Sequence, residues 1–399
     1  MRIVVHDYAG HPFQVQLSRE LARRGHEVLH LWSGSLSTTP QGSLEKTDSD
    51  PATFYAEPIN LGYVIDKTNF AKVFFTDDPA HARIAVDLIE AFKPDIILSA
   101  NTPLKINKAF QAYCWETGAK FVFWVQDLFG EAAKRILSDK WKGLGKHVGN
   151  YMHSFEHDLL KKSHGIVVIS EAFKDHLPAS DVPVHVIENW APLSEMPMRD
   201  PVNQWSIAHG VDKTRNFVYS GTLGMKHNPE LMVQLAVAAK DTPDARVIVI
   251  SVGKGMEYLQ SRKDELELNN LILLPFQPFD QVPNVMGSAT ALLAVLEPDA
   301  GVFSVPSKVL SYLCAGRAIV LAVPPENLAS RIVDENRAGI VVPPTDIEGF
   351  VAAGMRLLNA PDEAAQMGKA ARAYAEATFD VVAIADRFEQ VFAEARKRR

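Results

Sequence analysis

The sequence predicts an α/β protein of two domains, each a parallel sheet covered by helices. The chain has 399 residues, which is more than one hydrophobic core usually accommodates. Short, wholly apolar segments alternate along it with segments whose apolar residues recur at helical spacing, as in sheets buried on both faces. This alternation begins afresh after a proline-containing stretch at 192–201, which indicates a linker.

The first domain opens as a strand–helix–strand unit. The pattern predicts a short buried strand at 3–5 and a helix at 13–24, and Gly25 is suited to end that helix. A strand follows at 28–32, and a connection of this length indicates parallel pairing. The same patterns predict strands at 95–99, 121–125 and 165–170, and helices at 84–92, 109–117 and 153–162.

The second domain repeats the alternation. It begins with a strand at 216–220, continues through a loop with two glycines at 221–228 and enters a helix at 229–240. We therefore place the two domains at 1–195 and 196–377. Further strands are predicted at 246–252, 271–274, 289–295, 318–323 and 339–342, with helices at 309–315 and 364–396.

The composition disfavours several classes of protein. The net charge is −7, whereas proteins that bind nucleic acid usually carry a basic surplus. Cys114 and Cys314 are the two cysteines and are far apart, so we expect neither a disulfide framework nor a cysteine metal site. We find no signal peptide and no apolar run that would span a membrane. These features predict a cytoplasmic protein that does not bind nucleic acid.

The strongest candidate site is the loop after the strand at 216–220. Gly221, Thr222, Gly224 and Lys226 lead there into a helix N-terminus. Unpaired backbone N–H groups and the helix dipole favour an anion at such a position, glycine allows close approach, and lysine adds charge. Glycine-containing turns are also common between strands and helices, so an ordinary turn with a solvated lysine is the alternative on this pattern alone.

A second candidate site is the segment 297–308, which follows the strand at 289–295. Ser307 is placed to cap the next helix. Lys308 lies in the first turn, where a cation opposes the helix dipole. We therefore expect an anion beside Lys308, with a solvent-exposed ammonium group as the alternative. Both candidate segments follow strands of one domain, at the sheet edge where open α/β folds bind ligands.

Polar residues also follow strands of the first domain and would meet at one crevice of a doubly wound sheet. Such residues can hydrogen-bond to ligand hydroxyl groups. The two histidines among them can equally cap or pack, and the last aspartate can cap the following helix. The residues are His6, Asp7, Gly10, His11, Asn101, Thr102, Gln126 and Asp127.

Basic and apolar residues interleave between Lys134 and Val148. This pattern is typical of helices that lie on an anionic membrane surface, and it is also typical of a solvated helix face. If residues 134–148 bind a membrane, the protein is expected at the inner face of the plasma membrane.

At these motifs the chain resembles the retaining family-4 glycosyltransferases of the GT-B fold, and it is similar to their WbuB-like and WcaI-like branch. The resemblance covers nearly the whole chain. It implies two Rossmann-like domains facing a central cleft, with the sugar donor bound by the second domain. It also implies that a final helix at about 378–399 packs back on the first. The segments that carry it are 11–14, 187–190, 220–224, and 305–308 with 315–317.

The resemblance assigns roles to residues. The implied catalytic residues are Lys226, Lys308, Gln126 and His11, and the two lysines would stabilise the charge of the leaving diphosphate. Residues near 251–253 and 276–277 would flank the nucleotide base. The implied donor-binding residues are Gly221, Thr222, Asn228, Gly253, Gln277, Glu297, Gly301, Val302, Phe303, Ser307 and Ser311. The implied acceptor side consists of Gly10, Asn101 and Asp127.

The chain departs from the family at two places. Many members carry a pair of glutamates where this chain has Phe303 and Ser311, so the glutamate expected on the donor ribose is absent. Glu297 is a candidate source of that carboxylate. Many members carry a His-Asp pair where this chain has Gln126 and Asp127. Glutamine can hydrogen-bond to a sugar, but it cannot act as a base.

The resemblance implies transfer of a hexosyl or N-acetylhexosaminyl group from a UDP-sugar, with a GDP-sugar as the alternative donor. The implied acceptor is a glycan or a polyprenyl-diphosphate sugar in cell-surface polysaccharide assembly. Retention of configuration is implied, without a metal or other cofactor, and the sequence has no Asp-x-Asp pair. One alternative is a nucleotide-sugar epimerase, which His6, Asp7 and His11 keep open. The other is a non-catalytic partner that binds nucleotide-sugar, which Ser311 and Gln126 suggest.

Overall fold

The computed structural model describes residues 1–36, 44–140, 144–224, 227–296 and 306–398, without the side chains of 135–140 and 144. The first half of the chain contains β1 (Arg2–Asp7), α1 (Pro12–Arg23), β2 (Glu27–Ser33), β3 (Phe54–Ile59), α2 (Phe70–Lys72), α3 (Asp78–Phe92), β4 (Ile96–Ala100), α4 (Leu104–Thr117), β5 (Lys120–Val125), α5 (Phe129–Lys140), α6 (Leu144–Lys161), β6 (Gly165–Val168) and β7 (Val184–Val186). The second half contains α7 (Gln204–Ala208), β8 (Arg215–Ser220), α8 (Glu230–Ala238), β9 (Ala245–Ile250), α9 (Lys254–Glu265), β10 (Leu271–Leu274), α10 (Val282–Gly287), β11 (Ala291–Val295), α11 (Ser307–Ala315), β12 (Ala318–Ala322), α12 (Leu328–Glu335), β13 (Gly339–Val342), α13 (Ile347–Asn359), α14 (Pro361–Thr378) and α15 (Val381–Lys397).

The strands form two sheets in which the described neighbours all pair in parallel. The first has the order β3-β2-β1-β4-β5-β6-β7 and the second the order β10-β9-β8-β11-β12-β13. In each sheet the strand order reverses beside the first strand of that sheet. This reversal is the topological switch point of a doubly wound, Rossmann-like sheet. The predicted fold class of two parallel-sheet α/β domains is confirmed.

The chain divides into two compact units. The first comprises Met1–Asn189 with Val381–Arg399, and the second comprises Trp190–Asp380. Helix α15 packs within the first unit against α1, β5 and β6. The ring centroids of Phe388 and Trp124 lie 4.8 Å apart, and Arg24 donates a hydrogen bond to Asp386 at 2.6 Å. The first unit therefore contains both ends of the described chain.

The central strands were predictable because they are almost wholly apolar and buried on both faces, as β11 is throughout and β5 is after its first residue, Lys120. Two strands of the first sheet, β3 and β7, were missed. Both lie at sheet edges, where one side of the strand faces solvent and the apolar pattern weakens. In β3, exposed residues alternate with less exposed ones, and β7 is only three residues long.

Helix ends show one confirmed and one wrong expectation. Gly25 follows α1 with a φ of +87°, the left-handed conformation expected of a glycine that ends a helix. The single helix predicted at 364–396 is instead α14 and α15, separated at Phe379 and Asp380. Phe379 is buried, and its ring packs edge-on against Tyr374 at 5.8 Å. The buried Phe379 is the C-cap residue, at which α14 ends.

Candidate functional site

The two predicted phosphate-binding segments follow β8 and β11, which are neighbours in the second sheet. Parallel strands end at the same edge of a sheet, and β8 lies where the strand order reverses. Open α/β sheets bind ligands at this position. The fold therefore brings together two segments that are separated by about seventy residues in the sequence.

Gly221 occupies a position that disfavours a side chain. Its φ is +137°, a conformation that residues with a Cβ rarely adopt. A Cβ atom at Gly221 would lie 3.0 Å from Nζ and 3.1 Å from Cε of Lys308. The lysine of the second segment therefore lies directly against the glycine of the first.

Lys308 is held in this place by Tyr219, the penultimate residue of β8. The Lys308 ammonium group donates a hydrogen bond to the Tyr219 hydroxyl and lies 3.8 Å from the centre of the Tyr219 ring. The Tyr219 hydroxyl donates in turn to the carbonyl oxygen of Thr222 at 2.7 Å. Strand β8, the loop after it and α11 are thereby joined through one lysine.

A second tyrosine braces the same strand end. Tyr312 lies one helical turn after Lys308, and its hydroxyl accepts a hydrogen bond from the backbone N–H of Ser220 at 3.0 Å. Neither Tyr219, which opens the first candidate segment, nor Tyr312 was assigned a role from the sequence. Burial raises the pKa of each hydroxyl, so both stay neutral and act as hydrogen-bonding groups.

The charge on Lys308 is poorly compensated. Burial lowers the pKa of Lys308 to about 7, and no carboxylate forms an ion pair with it within the described residues. Removing an ammonium group from water disfavours its charged form unless an anion lies near it. The surroundings of Lys308 are therefore suited to an anionic ligand.

A further glycine, which sequence analysis did not select, fixes the loop after β8. A Cβ atom at Gly255 would lie 2.2 Å from the carbonyl oxygen of Leu223, so only glycine allows the first turn of α9 to approach this backbone. Gly253 precedes α9 with a φ of +95°. The two glycines at 253 and 255 are visible in the sequence, but their spacing alone does not indicate this contact.

The structure describes some of the remaining predicted site residues and leaves others outside the described ranges. Gln277 accepts a hydrogen bond from the Trp205 indole at 3.0 Å, and Asn228 donates to the carbonyl oxygen of Pro344 at 3.4 Å. Ser311 is half-buried on α11. Five predicted site residues lie outside the described residues, namely Lys226, Glu297, Gly301, Val302 and Phe303.

Ser307 does not cap α11, and that expectation was wrong. Pro306 occupies the N-cap position with extended backbone angles, and Ser307 is the first helical residue. A proline has no side-chain acceptor for the N–H groups of the first turn. These donors consequently lack a side-chain cap from the residue before the helix.

In the first unit, Asp7 and His11 form a pair after β1. Asp7 is fully buried; it accepts a hydrogen bond from the backbone N–H of His11 and another from its imidazole Nδ1 at 2.9 Å. Burial disfavours the charged imidazole, but Asp7 outweighs that cost and raises the pKa of His11. His11 stands at the N-cap position of α1 without a side-chain capping bond.

The remaining predicted site residues of the first unit are Gln126, predicted as a catalytic residue, and the acceptor-side residues Asp127, Gly10 and Asn101. Gln126 is buried, and its Nε2 has no hydrogen-bond partner. Burial raises the pKa of Asp127, while His11 opposes this shift. Gly10 and Asn101 both have positive φ, of +73° and +48°. A Cβ at Gly10 would lie 2.7 Å from a methyl group of Leu44.

A chain of hydrogen bonds that sequence analysis did not predict links His6, Thr102 and His81. Thr102 Oγ1 donates to the carbonyl oxygen of Ala100 at 2.9 Å, so it must accept from His6 Nδ1, which lies 2.8 Å away. His6 Nε2 then accepts from His81 Nε2 at 2.9 Å. This assignment leaves His81 Nδ1 as a buried acceptor, and it has no partner.

Within the described ranges, no helix is long and apolar enough to cross a membrane. In the same part of the chain, no three histidine, cysteine or carboxylate side chains are grouped so as to hold a metal ion. The basic stretch at 134–148 includes the end of α5 and the start of α6, and the side chains of 135–144 lie outside the described residues. Its contact with a membrane stays a prediction.

Two family models match the chain. The one described as Glycosyltransferase Family 4 matches residues 13–195, and the one described as Glycosyl transferases group 1 matches residues 203–374. The chain belongs to the family-4 glycosyltransferases. A similar protein is the colanic acid biosynthesis glycosyl transferase WcaI of Escherichia coli (strain K12), which is 24% identical over 296 residues, or 72% of this chain and 71% of WcaI. The family resemblance predicted from the motifs is confirmed.

Solved glycosyltransferase structures share the fold. Sucrose-phosphate synthase from Thermosynechococcus elongatus matches with a TM-score of 0.74 at 13% identity, over 99% of this chain and 98% of that one. Anabaena HepE in complex with UDP matches with a TM-score of 0.69 at 14% identity, over 98% and 100%. WaaG, a glycosyltransferase involved in lipopolysaccharide biosynthesis, matches with a TM-score of 0.67 at 13% identity, over 98% and 99%. The fold of this family-4 member is therefore GT-B.

Proposed function

We propose that this glycosyltransferase moves a hexosyl or N-acetylhexosaminyl group from a UDP-sugar to a glycan or a polyprenyl-diphosphate sugar, in the assembly of a cell-surface polysaccharide. The observation that carries the proposal is the desolvated amine of Lys308 beside Gly221. A nucleoside diphosphate supplies the anion that these surroundings favour. The name of WcaI, a relative from colanic acid biosynthesis, supports the polysaccharide assignment.

The donor diphosphate would lie over the loop that begins at Gly221. Its negative charge would restore the charge of Lys308, and backbone N–H groups at the start of α11 would add hydrogen bonds. Lys226 and residues 301–303 belong to the same proposal through the family resemblance. Most of the electrostatic contribution to donor binding would therefore come from contacts with the diphosphate.

The nucleotide base has a candidate surface at the adjacent strand ends. Strand β9 ends at Ile250 and β10 ends at Leu274, and these two residues pair with each other. Val252 and Phe276 each follow the end of their strand by two residues. Both side chains are exposed, and apolar side chains at the ligand-binding edge of a sheet suit the faces of a planar ring. UDP is favoured over GDP because HepE, which shares the fold, was solved with UDP and with UDP-glucose.

The chemistry would be glycosyl transfer with retention. The bond between the anomeric carbon and the diphosphate oxygen breaks, and its electron pair leaves on the diphosphate. The acceptor oxygen bonds to the same face of the anomeric carbon, and its proton passes to the leaving diphosphate. Lys308 would stabilise the charge that grows on the diphosphate as the sugar becomes oxocarbenium-like. This scheme assigns proton transfer to the substrate, so Gln126 need not act as a base.

The first unit would hold the acceptor. Asp7 accepts from Nδ1 of His11 and fixes the orientation of the imidazole, and Gln126 has an unpaired amide nitrogen. Both groups suit hydroxyl groups of a sugar. We place their contribution in positioning the acceptor, with Asp127 and Asn101 as further contacts.

A thermal-shift titration with UDP, GDP, ADP and their sugar conjugates tests the donor assignment. A ligand at about 100 times its Kd raises the free energy of unfolding by about 2.7 kcal/mol, so we expect a clear rise in Tm with uridine nucleotides. The rise should be unchanged by EDTA, since no metal is proposed. No rise with any nucleotide would contradict the donor assignment. Retention is tested separately, by determining the anomeric configuration of the transfer product by NMR.

A further inference from the structure

A group of apolar side chains is exposed on the first unit, apart from the polar residues described above. It consists of Tyr63, Val64, Phe70, Phe74 and Phe75, which we call the aromatic patch. Val64 is 65%, Phe70 56% and Phe75 71% exposed. Single exposed apolar residues are ordinary on protein surfaces, whereas contiguous groups mark a surface that binds something.

The rings of Phe70, Phe74 and Phe75 form a continuous surface, in which Phe74 is half-buried. The centroids of Phe70 and Phe74 lie 5.9 Å apart in a stacked pair, and those of Phe74 and Phe75 lie 5.1 Å apart, edge to face. Lys105, from α4, extends its ammonium group over both of the latter rings, at 4.0 and 4.6 Å from their centroids. The apolar surface therefore ends in a cation.

Hydrogen bonds of polar groups fix the segment 63–77, which carries the patch, to the rest of the first unit. Asp77 is fully buried and accepts hydrogen bonds from the Tyr63 hydroxyl at 2.6 Å and from Lys72 at 2.8 Å. Ile65 is also buried, and its N–H donates to the carbonyl oxygen of Ser35 at 2.8 Å. The polar groups thus point inward while the phenylalanine rings stay exposed, so the exposure belongs to a fixed surface.

The charges around the patch decide what it binds. Within the described residues, Lys105 forms no ion pair, and Lys72 is neutralised by Asp77. The whole chain carries a net charge of −7, so an unpaired lysine over exposed rings is a local feature. Aromatic rings bordered by a lysine suit the interface of a bilayer, where rings enter among the acyl chains and cations meet anionic headgroups.

We infer that the aromatic patch inserts into the surface of a bilayer that contains anionic phospholipid. This site is distinct from the basic stretch at 134–148. The inference rests on the proposed function in one respect: a polyprenyl-linked acceptor would lie in that bilayer, which would explain why the enzyme binds there. The segment of the patch is also connected to the proposed acceptor side. Asp77 immediately precedes α3, and His81 of α3 hydrogen-bonds to His6 of β1.

Vesicle co-sedimentation of the full chain tests the inference. We expect binding to vesicles of phosphatidylcholine and phosphatidylglycerol in equal parts, and weaker binding to phosphatidylcholine alone. Loss of one inserted phenylalanine should weaken binding about tenfold, so the double variant Phe70→Ser, Phe75→Ser should sediment with neither vesicle. Lys105→Gln should weaken only the binding to anionic vesicles.

One matched variant serves as a control. Trp115→Ser removes another exposed aromatic ring, on α4, and it should bind vesicles like the wild type. Unchanged binding by the Phe70, Phe75 double variant, or no binding by the wild type, would overturn the inference. So would a wild-type dimer in solution that the double variant abolishes, because the patch would then cover a second copy of the chain.

The donor test separates this inference from the proposed function. The aromatic patch is not part of the proposed donor site, so the thermal shift with uridine nucleotides should be the same for the double variant and the wild type. Normal nucleotide shifts together with failed vesicle binding would contradict the membrane inference alone.

Discussion

Replacing Lys308 with glutamine is expected to lower kcat/KM for sugar transfer by about 10³-fold, the size of effect seen when one group that stabilises transition-state charge is removed. Glutamine keeps much of the side-chain length and can still hydrogen-bond to Tyr219, but it has no positive charge for the leaving diphosphate. The measurement is initial-rate transfer with the donor that the thermal-shift titration identifies.

Lys254→Gln is the matched control for this variant. Lys254 is the first residue of α9 in the same unit and is exposed, so its replacement should leave transfer nearly unchanged. Lys308→Gln should not reduce the free energy of unfolding, because it removes an amine whose charge is disfavoured by burial. Equal activity of Lys308→Gln and wild type would remove Lys308 from the chemistry.

Lys226→Ala is expected to abolish detectable transfer and to weaken the binding of UDP. The two described ends of its loop are fixed, because Leu223 lies against Gly255 and the Gly224 N–H donates to His227 Nδ1 at 2.9 Å. A lysine within this loop would lie beside the donor diphosphate and add charge to that of Lys308.

The control for Lys226→Ala is Lys213→Ala, which removes an exposed lysine just before β8 and should behave like the wild type. Transfer and calorimetric UDP titration are measured on both variants. Wild-type activity in Lys226→Ala would refute the assignment of the diphosphate to this loop. Lost transfer with unchanged UDP binding would instead show that Lys226 stabilises the transition state and does not contribute to the binding of UDP.

Local patterns in the sequence predicted the parts of the site that depend on neighbours in the chain. A glycine after an apolar strand and a lysine in the first turn of a helix are visible without any tertiary information, and both Gly221 and Lys308 were predicted as site residues. The structure places them against each other because β8 and β11 are neighbours in the sheet.

The parts that were missed depend on contacts between distant segments. Tyr219 and Tyr312 lie in apolar runs and read as core residues, and only the meeting of β8 with α11 brings their hydroxyl groups to the loop. His6 and His81 are 75 residues apart, and no local pattern pairs them. Gly255 is required by the carbonyl oxygen of Leu223, a constraint that spacing alone does not show.

The central claim is that Lys308 regains its charge when the donor diphosphate binds, and calorimetry tests it most directly. Because burial lowers the pKa of Lys308 to about 7, the amine is mostly neutral at pH 8 in the free protein. An anion beside it raises that pKa, so binding takes up a proton, and affinity falls as pH rises above 7.

The measurement is a titration with UDP at pH 8 in two buffers of different ionisation enthalpy. We predict an uptake of about one proton for each UDP bound, and no uptake by Lys308→Gln. Tight binding of UDP with the same heat in both buffers would contradict the account, because the diphosphate would then lie away from Lys308.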